Sequence, residues 1–430
     1  MAQSRRKFIK QSIASLATVT IVPRYVLGGQ GYIAPNDKIN IGFIGTGKQG
    51  LALGKRFTKL EDIQLMAGSD VDRLKLARFQ KTVEAFYAEK SGKSTYKGCA
   101  VYEDYGDLLV AQGLDAVVVA TPDHWHAKPV IEAAKEGKDI FCEKPLSHTI
   151  KEGRAMVKAV RKYNRILQTG SIQRSREDFR KACELVRNGY IGEIKNIKVS
   201  VGDPAVDCDL PAVSTPQEIN WDKWLGPAPS RSYHPIICPP ITDDSWAMWR
   251  KYKDYGGGIF SDWGAHMFDI AQWAIGMDHS GPVEITPPDG KEFPYLTYRY
   301  ANGITMMHED FGRGHAVMFE GSEGTIAVSR GFFESKPKNL VNKKLKSGEV
   351  HLYKSENHYL DWTQAIRSGK MPVCDVETGH RTATICHLGN IAYQLKRPLR
   401  WDPEKEKFPD DKEANAMRTK KMRKPYKIAV

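Results

Sequence analysis

The chain has 430 residues, 41% of them hydrophobic and 27% charged, with 64 Lys and Arg against 51 Asp and Glu and a formal net charge of +13. That length holds two domains with cores of ordinary size, and the composition is that of a globular protein. Seven cysteines scattered without C-x-x-C spacing argue against a disulfide framework and a structural zinc site, and the basic excess has no aromatic-interleaved motif that would make it a nucleic-acid surface.

In chain order, the first signal is a basic start, Arg5-Arg6-Lys7, followed by a modest apolar stretch from Ile13 to Val22. A twin arginine before a short apolar segment predicts a twin-arginine (Tat) signal peptide over residues 1–30 and a periplasmic destination. The run is too short and too polar for a membrane span, and no cysteine precedes Cys99 to carry a lipid anchor. The Tat route carries folded proteins, so a cofactor taken up before export is expected to stay bound.

An open parallel α/β sheet is expected over residues 36–170, from strands alternating with helices. Its first strand, Ile39 to Ile44, runs into Gly45-Thr46-Gly47-Lys48-Gln49-Gly50 and then a helix-like segment. This is a G-x-G-x-x-G turn in the setting a dinucleotide needs. The first glycine permits the tight turn, the second lets backbone approach a pyrophosphate, and the third lets helix pack on strand. The second strand ends at Asp70, whose carboxylate can accept both ribose hydroxyls and repel a 2′-phosphate, favouring NAD over NADP. Asp115 to Thr121 is a continuous apolar strand, and Thr121-Pro122-Asp123-His124-Trp125-His126 follows at its carboxyl end. There His124 and His126 are expected to hydrogen-bond a ribose or substrate hydroxyl. H-x-H can also bind metal, but no third ligand is placed, so no metal is expected. At the end of the next strand, Glu143-Lys144-Pro145 puts a lysine where it can donate to a substrate hydroxyl and stabilise developing negative charge; Pro145 holds Lys144 extended.

After residue 170 the rhythm changes, and a second α/β domain with a large open, mainly antiparallel sheet is expected over 171–430. A Pro-rich irregular stretch covers Pro204 to Pro240, Asn302-Gly303 marks a hairpin, and His358 to Ser368 and Glu377 to Leu395 are closing helices. Within it, Asp262 and His266 stand four apart. On a helix they share a face, and a carboxylate beside an imidazole orients it and raises its basicity. The same residues also fit an N-cap and a core histidine. Asn220-Trp-Asp-Lys-Trp224 reads as packing or as an aromatic wall beside a sugar.

Together the glycine loop, Asp70, Thr121-Pro122, Glu143-Lys144-Pro145 and Asp262-x-x-x-His266 resemble, in this order, the Gfo/Idh/MocA oxidoreductases, the glucose–fructose oxidoreductase and inositol dehydrogenase relatives. The resemblance implies a Rossmann domain followed by an open-sheet α/β domain, NAD as cofactor, a carbohydrate or cyclitol substrate, and a homodimer or tetramer. It further implies Lys144, Asp262 and His266 at the reacting carbon and Glu143 near the nicotinamide ribose. One branch resembles redox-neutral NAD-dependent glycosidases, many of them exported, but their usual Glu-Val is Glu143-Lys144 here. A cofactor-bound carbohydrate sensor is the non-enzymatic alternative.

Overall fold

A computed structural model describes residues 37–428; the expected signal over residues 1–30 lies outside them. The apolar runs of the first third become strands buried on both faces, and all four residues of Ala116–Val119 are inaccessible. In order the elements are β1 (Ile39–Ile44), α1 (Lys48–Phe57), β2 (Ile63–Ser69), α2 (Arg73–Lys90), β3 (Ala100–Tyr102), α3 (Tyr105–Leu109), β4 (Ala116–Val119), α4 (Ala127–Lys135), β5 (Asp139–Cys142), α5 (Ile150–Lys162) and β6 (Leu167–Thr169). The sheet is β3-β2-β1-β4-β5-β6, every pair parallel. Local chemistry sets the helix ends: Asp72 accepts from the Leu74 and Lys75 amides to start α2, and Thr149 accepts from Glu152 to start α5. The strand order reverses between β1 and β4. This opens a crevice at their carboxyl ends, where open α/β sheets bind ligands.

The second part adds α6 (Glu177–Arg187), β7 (Ile194–Ser200), α7 (Trp221–Leu225), α8 (Gly258–Ile275), β8 (Glu284–Thr286), β9 (Leu296–Arg299), β10 (Thr305–His308), β11 (Ala316–Gly321), β12 (Thr325–Ser329) and β13 (Phe333–Lys336), then α9 (His358–Ser368), α10 (Val376–Leu395), β14 (Leu399–Arg400) and α11 (Lys412–Ala416). Eight strands form a second sheet in the order β13-β12-β11-β7-β10-β9-β8-β14. Only β7 and β10 pair in parallel; the other pairs are antiparallel. Gly303, at φ +87°, turns the β9–β10 hairpin. Phe260, Phe268 and Ile270 of α8 and Leu388 of α10 pack on Ile197, Val199 and Tyr298 of the sheet.

The closing helices return to the first sheet. Trp362 of α9 is fully buried against Phe57 and Phe141. Arg154 of α5 bonds Glu377 of α10 through two N–H groups at 2.7 and 2.8 Å, and Glu406 through two more at 2.8 and 2.7 Å. Burial opposes ionisation of Glu377, but Arg154 and Arg381 overcome it and hold its carboxyl at about 2, against an ordinary 4.5. A depressed acid contributes stability that is complete above pH 4.5 and is lost as pH falls toward 2, here on the order of 3 kcal/mol. Glu377→Gln is therefore expected to melt several degrees below the parent at pH 6, with the gap narrowing as the buffer approaches pH 2; calorimetry across that range checks it.

Candidate active site

The crevice at the β1–β4 switch continues between the domains as one cleft of about 1490 Å³, lined at one end by Gly45, Gly47 and Asp70 and at the other by Lys144, Asp262 and His266. Its dinucleotide end follows from the glycines. Gly45 sits at φ +90°, and a Cβ there would lie 2.8 Å from the Ala120 carbonyl carbon. A Cβ on Gly50 would lie 2.1 Å from the Gly45 carbonyl oxygen, so α1 packs on the turn at backbone contact. At Gly47 a Cβ would meet nothing within 4 Å among the described residues. This leaves the open cradle that a pyrophosphate needs, at the start of a helix whose N-cap has no side-chain hydrogen bond.

The rest of the loop divides its work. The Thr46 amide and hydroxyl donate to Asp70 Oδ2 at 2.7 and 3.0 Å, and the Asp72 amide donates to Oδ1 at 2.9 Å. Burial pushes the Asp70 carboxyl up, and those amides oppose it. Thr46 is itself fully buried, so it aims the acid. Gln49 Nε2 donates to Glu143 Oε1 at 2.7 Å, tying loop to β5. Burial pushes the Glu143 carboxyl up, with Lys144 and Gln49 opposing. Lys48 lies 4.9 Å from the Trp246 ring centroid and bonds the Asp244 backbone, so a strap from the second domain crosses the loop. Thr121 and Pro122 line the cleft.

His124 and His126 do not. His124 is 3% exposed, contacts the Trp224 carbonyl at 3.1 Å through Nε2, and packs against Trp224 and Tyr255. The two ring nitrogens of His126 face the carbonyls of Pro145 and Thr121 at 2.8 and 2.9 Å. Burial drives both imidazoles down, to about 3 and about 4. The expectation that they contact cofactor or substrate is corrected: they fasten the β4 and β5 loops from inside. Trp221 and Trp224, stacked at 4.7 Å, belong to the same packing layer.

At the reacting end, Lys144 Nζ donates to Asp262 Oδ1 at 2.6 Å and to the Asp262 carbonyl at 3.0 Å, joining the two domains. The Lys144–Pro145 bond is cis. Arg250 Nε stands 3.3 Å from the same carboxylate. Burial works against the Asp262 charge, but the two cations win and hold its carboxyl below the ordinary range. The expected Asp262–His266 couple is therefore corrected. Both residues lie on α8, which starts at Gly258, so Asp262 is no N-cap. Its carboxylate turns to two cations rather than to a neutral ring. His266, 5% exposed, instead receives an N–H from Arg330 on Nε2 at 3.0 Å. Burial first, then Lys144 and Arg330, drive its pKa well below the usual imidazole value. The ring is neutral, with its proton on Nδ1 as Nε2 is an acceptor.

Arg250, Arg330 and Asp123 are among the lining residues that the sequence did not mark as site residues. Asp123 sits between Pro122 and His124 in the loop after β4. It is 4% exposed, and burial and Asp262 push its carboxyl well above the ordinary value against the pull of Arg250 and Lys144. Nothing local marks the two arginines, because their significance lies in what they meet. Among the described residues no three His, Cys, Asp or Glu side chains gather to hold a metal ion, and no helix is long and apolar enough to cross a membrane.

Comparison with known proteins agrees with this architecture. Myo-inositol 2-dehydrogenase of Thermotoga maritima is 24% identical over 384 residues, covering 84% of this chain and 98% of that one. A glycosyl hydrolase family 109 protein of Shewanella baltica is 30% identical over 207 residues, 44% of each chain. Among solved structures, an aldose-aldose oxidoreductase from Caulobacter crescentus superposes with a TM-score of 0.57 at 18% identity, over 84% of this chain and 99% of that one. Scyllo-inositol dehydrogenase from Lactobacillus casei, with bound NAD(H) and scyllo-inositol, does so at 0.55 and 17%, over 84% and 99%. Residues 39–171 match the oxidoreductase family's NAD-binding Rossmann fold and residues 205–428 its C-terminal alpha/beta domain. The chain belongs to the Gfo/Idh/MocA oxidoreductase family, and NAD is its cofactor.

Proposed function

We propose that the protein oxidises a hydroxyl of a sugar or sugar derivative. The observation that carries this reading is the 2.6 Å pair between Lys144 of the first domain and Asp262 of the second, beside His266 in the cleft that begins at the glycine loop. Bound NAD supplies the hydride acceptor. Lys144, fixed by Asp262, donates to the substrate oxygen and stabilises the negative charge that grows there. His266, kept neutral by burial and neighbouring cations, takes the hydroxyl proton at Nε2 when the substrate oxygen displaces the Arg330 N–H. The partly shielded setting of Lys144 and Asp262, 15% and 16% exposed, strengthens both interactions. Mixing the purified protein with a sugar panel and following the reduced-nicotinamide absorbance tests the reading; a panel that leaves the band flat counts against it.

A second reading, redox-neutral glycoside cleavage, is favoured by the glycosyl hydrolase family 109 relatives. Release of phenol from aryl glycosides without added NAD would support it.

We further propose a homodimer or tetramer exported folded by the Tat route to the periplasm, with NAD captive. The strap from Pro239 to Arg250 supports retention: Lys75 Nζ donates to the Pro239 carbonyl at 2.8 Å, and Lys48 meets Asp244 and Trp246. Denaturing the purified protein is expected to release about one NAD per chain. Lys48→Ala/Trp246→Ala is expected to exchange bound cofactor for labelled NAD at least tenfold faster than the parent; equal exchange rates would remove the strap from the account.

A further inference from the structure

Two cations of the cleft wall stand apart from its ion pairs. Arg330 and Arg56 both line it. Among the described residues neither has a carboxylate within ion-pair distance. Arg330 spends one N–H on His266 Nε2, and its guanidinium lies 4.7 Å from the Trp263 ring centroid. Arg176, also on the cleft wall, holds the Arg330 backbone carbonyl at 3.1 Å and is itself neutralised by Asp178 at 3.1 and 2.6 Å. Arg56 donates to the Tyr359 hydroxyl and lies 5.7 Å from that ring centroid.

The acids nearest to Arg330 are committed elsewhere. Asp262 holds Lys144 and Arg250, and Glu143 accepts from Gln49 and from the Lys144 amide. A guanidinium held 4.7 Å from an indole centroid, with N–H groups still to satisfy and one fixed contact to the proposed base, is a preorganised fork for a bidentate anion. Its contacts with His266 and Trp263, both on the helix that carries Asp262, assign it to substrate.

We propose that the substrate is an anionic carbohydrate, whose carboxylate or phosphate ester is gripped by Arg330 with support from Arg56, next to the hydroxyl presented to Lys144 and His266. This deepens the carbohydrate reading above and rests on it. The grip has a consequence for chemistry. A substrate anion drawing Arg330 onto itself frees His266 Nε2, so charge recognition and base release come from one side chain.

Calorimetric titration of the NAD-loaded protein with D-glucuronate, D-glucose 6-phosphate and D-glucose, and with the galacto counterparts, tests this. Cofactor reduction is recorded on the same samples. One anionic form is expected to bind at least tenfold more tightly than the neutral sugar of its configuration, with the advantage shrinking as salt rises. Arg330→Gln and, independently, Arg56→Gln should each reduce that ratio; Arg56 does not touch His266, so its variant reports recognition alone. The better of uronate and phosphate identifies the anion. Neutral sugars binding as well as the acids, or no binding by any, overturns the proposal. If neutral sugars alone reduce the cofactor, the proposal falls and the dehydrogenase reading stands. If the acids bind preferentially but reduce nothing, the anion site stands and the dehydrogenase reading falls.

Discussion

Lys144→Met is expected to lower turnover by roughly 10² to 10⁴ while leaving bound NAD in place, the range seen when a charge-stabilising or acid–base group is removed. Methionine fills much of the lysine volume and removes only the ammonium. Asp262 then keeps Arg250 at 3.3 Å, a longer and less direct partner than Lys144 at 2.6 Å. Its carboxyl is expected to rise toward and past the ordinary value, because burial is the largest influence on it and one of its two opposing cations is gone. Lys144→Arg is not expected to rescue, since a planar fork cannot replace a compact ammonium against both the carboxylate and the carbonyl of Asp262. Single-turnover reduction of bound NAD, read beside nucleotide content and circular dichroism, separates lost chemistry from lost fold. Turnover within threefold of the parent would take Lys144 out of the mechanism.

Gly50→Ala is expected to cost the protein both its cofactor and part of its stability. The new Cβ would stand 2.1 Å from the Gly45 carbonyl oxygen and 3.0 Å from its carbon. Those are backbone atoms, with no flexible side chain to yield, so α1 must move off β1. Overpacking of this kind costs about 1–3 kcal/mol, and the displaced helix start no longer faces the pyrophosphate cradle. Nucleotide recovered after denaturation should fall below a tenth of the parent value. Gly47→Ala is the control. Its Cβ meets nothing in the protein, so the apoprotein should melt like the parent apoprotein while still losing NAD affinity, because the methyl group occupies the ligand's space. Equal losses of melting temperature in the two apoproteins would contradict the division between packing and binding glycines.

The legible parts of this molecule are those where chemistry and spacing are local. The glycine turn, the acid ending β2 and the buried run of β4 each sit within a few residues, and each stands where its pattern put it. Lys144 could be read as a candidate because it follows a strand whose end faces the crevice. The Asp262–His266 couple failed because a four-residue interval fixes a shared helix face and says nothing of what approaches that face. The shorter of the two contacts that claimed Asp262 comes from Lys144, 118 residues away, and the partner that claimed His266 lies 64 residues away. His124 and His126 failed for a related reason. Position at a strand's carboxyl end brings a loop to the crevice, but the side chains turned inward to backbone carbonyls, two of them supplied by the distant β5 loop and α7 and one by Thr121 of the same loop. The return of α9 to the first sheet was likewise invisible, since the helical period of Trp362 reports an apolar face and not its destination.

The central claim is that Lys144 and His266 act on a substrate hydroxyl above bound NAD, and rapid mixing with a reactive sugar tests it most directly when the oxidised carbon carries deuterium. The account predicts growth of the reduced-nicotinamide band without added cofactor, a slower rate with deuterium than with hydrogen, and loss of the band in Lys144→Met. A band that grows at the same rate in Lys144→Met as in the parent would contradict it.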